Sequence, residues 1–168
     1  MVNLTPRTVG EIIGLVVVVA SLVFVGWELR QNSIATRAAN NSSVADGFVQ
    51  LNLNLSSNRD LALALANNSA DPAAAPMEDK ILMLGAWRAL FHVWSNVHRQ
   101  YLNDTIDPAI FEAVLQEIST YAAPEGNDER NPELERRQRF MLWAWETERF
   151  IFNPEFQQLV DEMLRISR

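Results

Sequence analysis

The segment IIGLVVVVASLVFVGW, residues 12–27, decides the architecture of this chain, because it contains sixteen consecutive uncharged residues. As a helix extended to residues 9–29 it would measure about 32 Å, which matches a hydrocarbon core about 30 Å thick. Glu11 and Glu28 would then lie in the two headgroup regions. The sequence therefore predicts a transmembrane anchor in residues 1–30.

A cleaved signal peptide and a buried core helix are the other interpretations of this segment. A signal peptide has a basic start, an apolar core of about 7 to 15 residues and small residues at the cleavage site. Arg7 is the only basic side chain before the apolar run, and Val18 with Ala20 offers an acceptable cleavage site. The apolar stretch continues through LVFVGW after Ser21, however, which favours an uncleaved anchor.

Composition restricts the function of the remaining residues, which suffice for one compact domain. The chain has no cysteine, so disulfides, thiolate metal sites and cysteine nucleophiles are excluded. Its net charge is -7, and because the segment up to Arg30 is neutral, the whole acidic excess lies beyond the anchor. Nucleic acid is therefore not an expected partner. No residue pattern calls for a cofactor.

Prolines divide this domain into helices. Asp107-Pro108, Asn131-Pro132 and Asn153-Pro154 each place a capping side chain before a proline at the first helical position, where its missing N–H costs nothing. Residues 71–76 and 124–128 are predicted to be loops, because they are rich in proline, glycine and aspartate.

Between these prolines and loops, apolar residues recur every three or four positions, as in an amphipathic helix. No stretch alternates apolar and polar residues over the length of a β-strand. A helix over residues 76–102 would carry an aromatic face, and the helix from Pro132 should bury two faces, the second containing Phe140, Trp143 and Phe150. The predicted fold is all-α: the anchor continues into a helical stalk in residues 31–70, followed by a helical bundle in residues 71–168. The expected core residues are Trp87, Phe91, Trp94, Met141 and Trp145.

Two parts of the domain carry opposite charge. Residues 80–99 contain three basic residues, two histidines and no acid, whereas residues 104–135 contain nine acids and one base. Adjacent helices of opposite sign attract each other, although an exposed pair contributes only about 0.2 to 1 kcal/mol. We therefore expect these helices to pack as an antiparallel hairpin.

Three segments carry a resemblance to other proteins: WELRQNSIATRAAN (27–40), AWRALFHVWSNVHRQY (86–101) and FNPEFQQLVDEML (152–164). Together with the anchor, they resemble a widespread group of small bacterial proteins to which no chemistry is assigned. Members of that group have one N-terminal membrane helix and a C-terminal helical domain. The resemblance implies the fold and the anchoring, and no catalytic residue.

Few residues are spaced so that they could form a binding or catalytic site. Arg88, His92 and Arg99 share one helical face, where they would bind an anion or ligand or form a structural salt-bridge network. His92 and His98 are six residues apart and point to different faces, so they cannot ligate one metal as an i, i+4 pair would. We expect His98 to be a hydrogen-bonded core residue, and we expect no metal site.

Two classes of function follow from these observations. The first is a non-enzymatic single-pass accessory or scaffolding subunit of a larger membrane protein complex, in the bacterial inner membrane. The second is a membrane-tethered ligand-binding or catalytic domain that uses the face of Arg88, His92 and Arg99.

Small residues in the anchor and the charges beside it indicate partner and orientation. Gly10, Gly14 and Ser21 form a strip along which a membrane protein partner, or a second copy of the chain, would approach closely. The C-terminal flank of the anchor has two basic residues, Arg30 and Arg37, and the N-terminal flank has one, Arg7. Because basic residues are in excess on the cytoplasmic side of a membrane helix, we expect the domain to lie in the cytoplasm.

Overall fold

The computed structural model describes residues 6–68, 70–121 and 132–164. These residues form helices, turns and short connections and contain no strand, which confirms the all-α prediction. The α-helices are α1 (Pro6–Ser57), α2 (Arg59–Asn68), α3 (Met77–Leu102), α4 (Pro108–Ser119), α5 (Pro132–Glu148) and α6 (Pro154–Met163), with 3₁₀ turns at Pro72–Ala74 and Arg149–Ile151.

The proline-marked helix starts are confirmed. The carboxylate of Asp107 accepts a hydrogen bond of 3.0 Å from the N–H of the second residue of α4. Likewise, Oδ1 of Asn153 accepts a bond of 2.8 Å from the third N–H of α6. Helix α5 begins at Pro132 as predicted, while Asn131 and the predicted loop at 124–128 lie outside the described residues.

Contacts divide the chain into two compact units, residues 1–39 and residues 40–168. One helix of the described chain is long and apolar enough to cross a membrane, the segment Gly10–Ser57 of α1. Its most apolar window of 18 residues has a mean hydropathy of 2.5 and no buried residue. Residues 40–57 of the same helix belong to the second unit and contribute Val44 to its core.

The second unit is built around α3, which packs against α4 in the antiparallel hairpin that the charges predict. The ring centroids of Trp87 and Tyr121 are 5.5 Å apart at one end of the hairpin, and those of Tyr101 and Phe111 are 4.0 Å apart at the other. Residues increase in number along α3 as their partners decrease along α4, which defines the antiparallel register.

All five expected core residues are buried: Trp87, Phe91, Trp94, Met141 and Trp145. The ring of Phe91 lies at the centre of this core, 5.8 Å from that of Trp94 and 5.2 Å from that of Trp145. The second buried face predicted for α5 is only partly correct, because Phe150 is 80% exposed. The helix ends at Glu148, and the following 3₁₀ turn directs the Phe150 side chain outwards.

Candidate functional site

The first candidate site is the α3 face that carries Arg88, His92 and Arg99. Arg88 forms a two-pronged ion pair with Glu148 of α5, with its Nε 2.6 Å from Oε2 and its second terminal nitrogen 2.8 Å from Oε1. Glu148 is buried, whereas the Arg88 side chain is about half exposed. Hydrogen bonding to this carboxylate, and then its charge, raise the pKa of Arg88 above its usual value.

The other two residues of this face do not join that ion pair. The ring of His92 lies 5.0 Å from the ring of Phe152 and its side chain is exposed. Arg99 donates a hydrogen bond of 2.9 Å to Asn96 on its own helix, and eleven residues of α-helix separate it from Arg88 by about 16 Å. The face therefore consists of one structural ion pair and two separate exposed side chains.

A second polar cluster, which the sequence analysis did not find, surrounds Asp161 of α6. Its Oδ1 accepts a hydrogen bond of 2.9 Å from the indole N–H of Trp145, and its Oδ2 accepts one from Arg149. These donors are sixteen and twelve residues away along the chain, beyond the reach of a helical pattern. Trp145 and Asp161 are buried and the Arg149 side chain is 14% exposed. The polar groups of this cluster bond to one another, so it stabilises the packing of α5 on α6.

His98 is buried, as predicted, and lies between two aromatic rings. Its ring centroid is 5.9 Å from that of Phe111 and 5.9 Å from that of Phe156. The predicted hydrogen bond is missing at Nδ1, which is buried without a partner. Burial lowers the pKa of His98, against the opposing effect of the negative charge of Glu155, so the neutral imidazole is favoured.

In the described ranges, no group of three histidine, cysteine, aspartate or glutamate side chains is placed to hold an ion. Three tryptophans of the second unit, Trp87, Trp94 and Trp145, are buried in its core, and Trp143 packs against that core partly buried. Both histidines lie on α3, but one is exposed and the other buried, so they do not converge.

The strip of Gly10, Gly14 and Ser21 lies on the exposed part of α1. A Cβ atom built on either glycine would meet nothing within 4 Å. The hydroxyl of Ser21 donates a hydrogen bond of 2.8 Å to the carbonyl oxygen of Val17, one turn earlier, and is therefore satisfied on its own helix. Both glycines leave room for a neighbouring helix to approach the α1 backbone closely.

Two apolar grooves lie on the described part of the second unit, and neither was predicted from the sequence. The larger, of 350 Å³, lies between α1 and α4. The smaller, of 160 Å³, is lined by Leu51 and Leu55 of α1, Leu65 of α2, Leu90 of α3 and Tyr121 after α4, among others. Both grooves form between helices that are distant in sequence, so the residue pattern of a single helix cannot predict them.

No protein-family model, curated protein or solved structure matches this chain. The likeness to the bacterial group described above therefore rests on the three quoted segments alone.

Proposed function

We propose that this protein is a non-enzymatic single-pass membrane accessory or scaffolding subunit. The N-terminal part of α1 anchors it in the bilayer, and residues 40–168 contact a larger membrane protein complex. One observation carries the proposal: the most apolar part of α1 exposes every side chain of an 18-residue window. An apolar surface of that length is unfavourable in water and matches the thickness of a bilayer.

The polar side chains of the domain support a structural role. Arg88 is paired with Glu148, Arg149 with Asp161, and the indole N–H of Trp94 with the carboxylate of Glu117 at 2.8 Å. These pairs tie helices together. The alternative, a ligand-binding or catalytic domain on the face of Arg88, His92 and Arg99, has less support, because Glu148 already engages the guanidinium of Arg88.

The proposed location is the bacterial inner membrane, with the domain in the cytoplasm. Arg30 and Arg37 follow the apolar segment, against Arg7 before it, and cytoplasmic flanks carry the excess of basic residues. In this orientation the strip of Gly10, Gly14 and Ser21 would lie against a transmembrane helix of the partner or of a second copy.

Fractionation and intact mass test the anchor. The tagged full chain should stay in the membrane pellet after alkaline carbonate extraction, with the mass of the uncleaved 19.0 kDa chain plus its tag. A cleaved signal sequence would instead yield a shorter, soluble product. Protease added to spheroplasts should leave the domain uncut; digestion there would reverse the orientation.

Co-purification from native membranes in mild detergent tests the accessory role. A membrane protein partner should be recovered with the wild-type chain, and Gly14→Leu should weaken its recovery because the leucine blocks close helix approach. Val16→Leu is the matched control, since it adds the same side chain off the strip. Recovery of the chain alone, without any membrane protein, would contradict the accessory role.

A further inference from the structure

The larger groove begins where two asparagines of α1 hold the loop before α4. The side-chain amide of Asn40 donates a hydrogen bond of 2.8 Å to the carbonyl oxygen of Thr105. Oδ1 of Asn41 accepts a bond of 3.3 Å from the N–H of Asp107. These bonds join the two helices at one end, and the groove runs between them from Asn41 to Glu117.

The walls of the groove have the form of a helix-binding site. Its floor is apolar and its outer edges carry alanines, so that a third helix would meet short side chains on both sides. Two walls that are themselves helices leave a trough of the right shape for the ridge of another helix. The principal lining residues are Val44, Ala45, Phe48, Ile110, Ala113 and Val114.

The charge of these walls selects the kind of helix. Glu117 is the charged residue of the lining, and it is half buried. Residues 40–57 and 104–121, which include both walls, contain five acidic residues and no lysine or arginine. A partner with acidic or anionic flanks would be repelled, whereas lysine or arginine flanks would be attracted. An anionic lipid headgroup is disfavoured for the same reason.

We propose that the groove between α1 and α4 binds an amphipathic helix of another protein, with apolar anchors at i, i+3 or i+4 and i+7 and with lysine or arginine on its flanks. This inference rests on the proposed function, because it names the surface through which the accessory subunit contacts its partner. Affinity comes from apolar side chains that fill the 350 Å³ groove, and orientation comes from the carboxylate of Glu117.

Photo-crosslinking in native membranes tests the proposal on the full chain. A photoreactive residue replaces Ala113 in the groove or, as control, Ala89 on the exposed side of α3. The expected adduct forms at position 113 and not at position 89, and its mapped peptide is a basic amphipathic segment of a different protein. An adduct with a second copy, with lipid or with a non-basic segment would overturn the proposal, and so would no adduct above the control.

Charge neutralisation provides an independent readout. Glu117→Gln keeps an oxygen that accepts the Trp94 indole hydrogen bond and removes only the charge. It should reduce the yield of the position-113 adduct about three- to tenfold. Glu146→Gln, an exposed acid on α5, is the matched control and should leave the yield unchanged. Equal adduct yields for wild type and Glu117→Gln would show that the charge of Glu117 does not attract the partner helix, and would overturn that part of the proposal.

A photoreactive residue at Ser21 separates this proposal from the proposed function. An adduct with another membrane protein from position 21, without a groove adduct, would leave the accessory role intact and reject the groove. If neither position captures another protein, both proposals are wrong.

Discussion

The indole Nε1 of Trp145 donates a hydrogen bond of 2.9 Å to Oδ1 of Asp161, and both side chains are buried. Arg149 completes the cluster, since it donates to the second carboxylate oxygen and its guanidinium carbon lies 5.9 Å from the centroid of the Trp145 ring. The three residues come from α5, the turn after it and α6. This cluster therefore connects the two helices.

Removing the carboxylate should be costly. Asp161→Ala leaves the Arg149 charge and the Trp145 N–H without their acceptor in a buried site, and we expect a loss of about 3 to 5 kcal/mol in the free energy of unfolding. Urea denaturation of the full chain in mild detergent, followed by circular dichroism, measures this loss. Glu162→Ala, at an exposed position of the same helix, should stay within about 0.5 kcal/mol of wild type.

A double-mutant cycle on this cluster makes a sharper prediction. Asp161→Leu leaves the charge of Arg149 without its partner, and Arg149→Leu leaves the charge of Asp161 without its partner. The double variant removes both charges. The double variant should therefore be more stable than the sum of the two single losses predicts, by about 1 to 3 kcal/mol. Additive losses would show that the two side chains do not stabilise each other.

Truncation of a core tryptophan should destabilise only the second unit. Trp94 is fully buried in the core, so Trp94→Ala should lower the free energy of unfolding by about 3 to 5 kcal/mol. Trp94→Phe keeps most of the ring but loses the hydrogen bond to Glu117, for a smaller loss of about 1 to 3 kcal/mol. Trp27→Ala is the matched control, because Trp27 is exposed on the other unit. A comparable loss for Trp27→Ala would contradict the assignment of this core.

The end of α3 contains a residue in the left-handed region. Asp104 has a φ of 54°. The N–H of Thr105 donates a hydrogen bond of 2.9 Å to the carbonyl oxygen of Gln100, and the N–H of Asp104 donates one of 3.0 Å to the carbonyl oxygen of Tyr101. This is a Schellman motif with aspartate at the position that favours glycine. Asp104→Gly should be more stable than Asp104→Ala by about 1 kcal/mol, since both lose the carboxylate and only alanine is strained.

The same pair of substitutions at Glu112, an exposed position inside α4, supplies the control for Asp104. There the order should reverse, with alanine more stable than glycine by about 1 kcal/mol, because glycine is unfavourable in a helix interior. Thermal unfolding of the four variants measures both differences. An Asp104→Ala variant as stable as Asp104→Gly would refute the conformational explanation.

His98 should make stability depend on pH below its unfolded pKa of about 6.5. Its pKa in the folded protein is lowered by burial, so below a pH of about 6.5 the unfolded chain takes up a proton that the folded chain does not. Because the unfolded state then binds more protons, the free energy of unfolding falls as the pH falls, by at most about 1.4 kcal/mol per pH unit.

Replacement of each histidine in turn checks this dependence. His98→Phe removes the titrating group and should flatten the dependence on pH, while His92→Phe, on the exposed side of α3, should preserve it. Urea midpoints across the same pH range give the slopes. An unchanged slope in His98→Phe would assign the pH dependence to other groups.

Sequence reasoning predicted the helices well because their signals are local. The caps at Asp107 and Asn153 each bond to an N–H within three residues, so the pattern that specifies them fits within one turn. The aromatic spacing of Trp87, Phe91 and Trp94 likewise identifies a buried helix face before any partner is known.

Residues 40–43, Asn-Asn-Ser-Ser, show where local reasoning fell short. Their side chains compete for backbone hydrogen bonds, which by itself disfavours a helix at this position. In the structure α1 continues through them without a break. The amide of Asn40 instead bonds to Thr105, and that of Asn41 to Asp107, more than sixty residues away. Tertiary contacts thus satisfy side chains that would otherwise weaken the helix.

By itself, the sequence determined which segments are helical, which faces are apolar and where an exposed apolar helix lies, because these depend on neighbours within a few residues. Only the tertiary structure decided that Arg88 pairs with Glu148, sixty residues later, and that a groove forms between α1 and α4. The partner of a side chain depends on which helix faces meet. That choice is made by packing of the whole domain, and no local pattern encodes it.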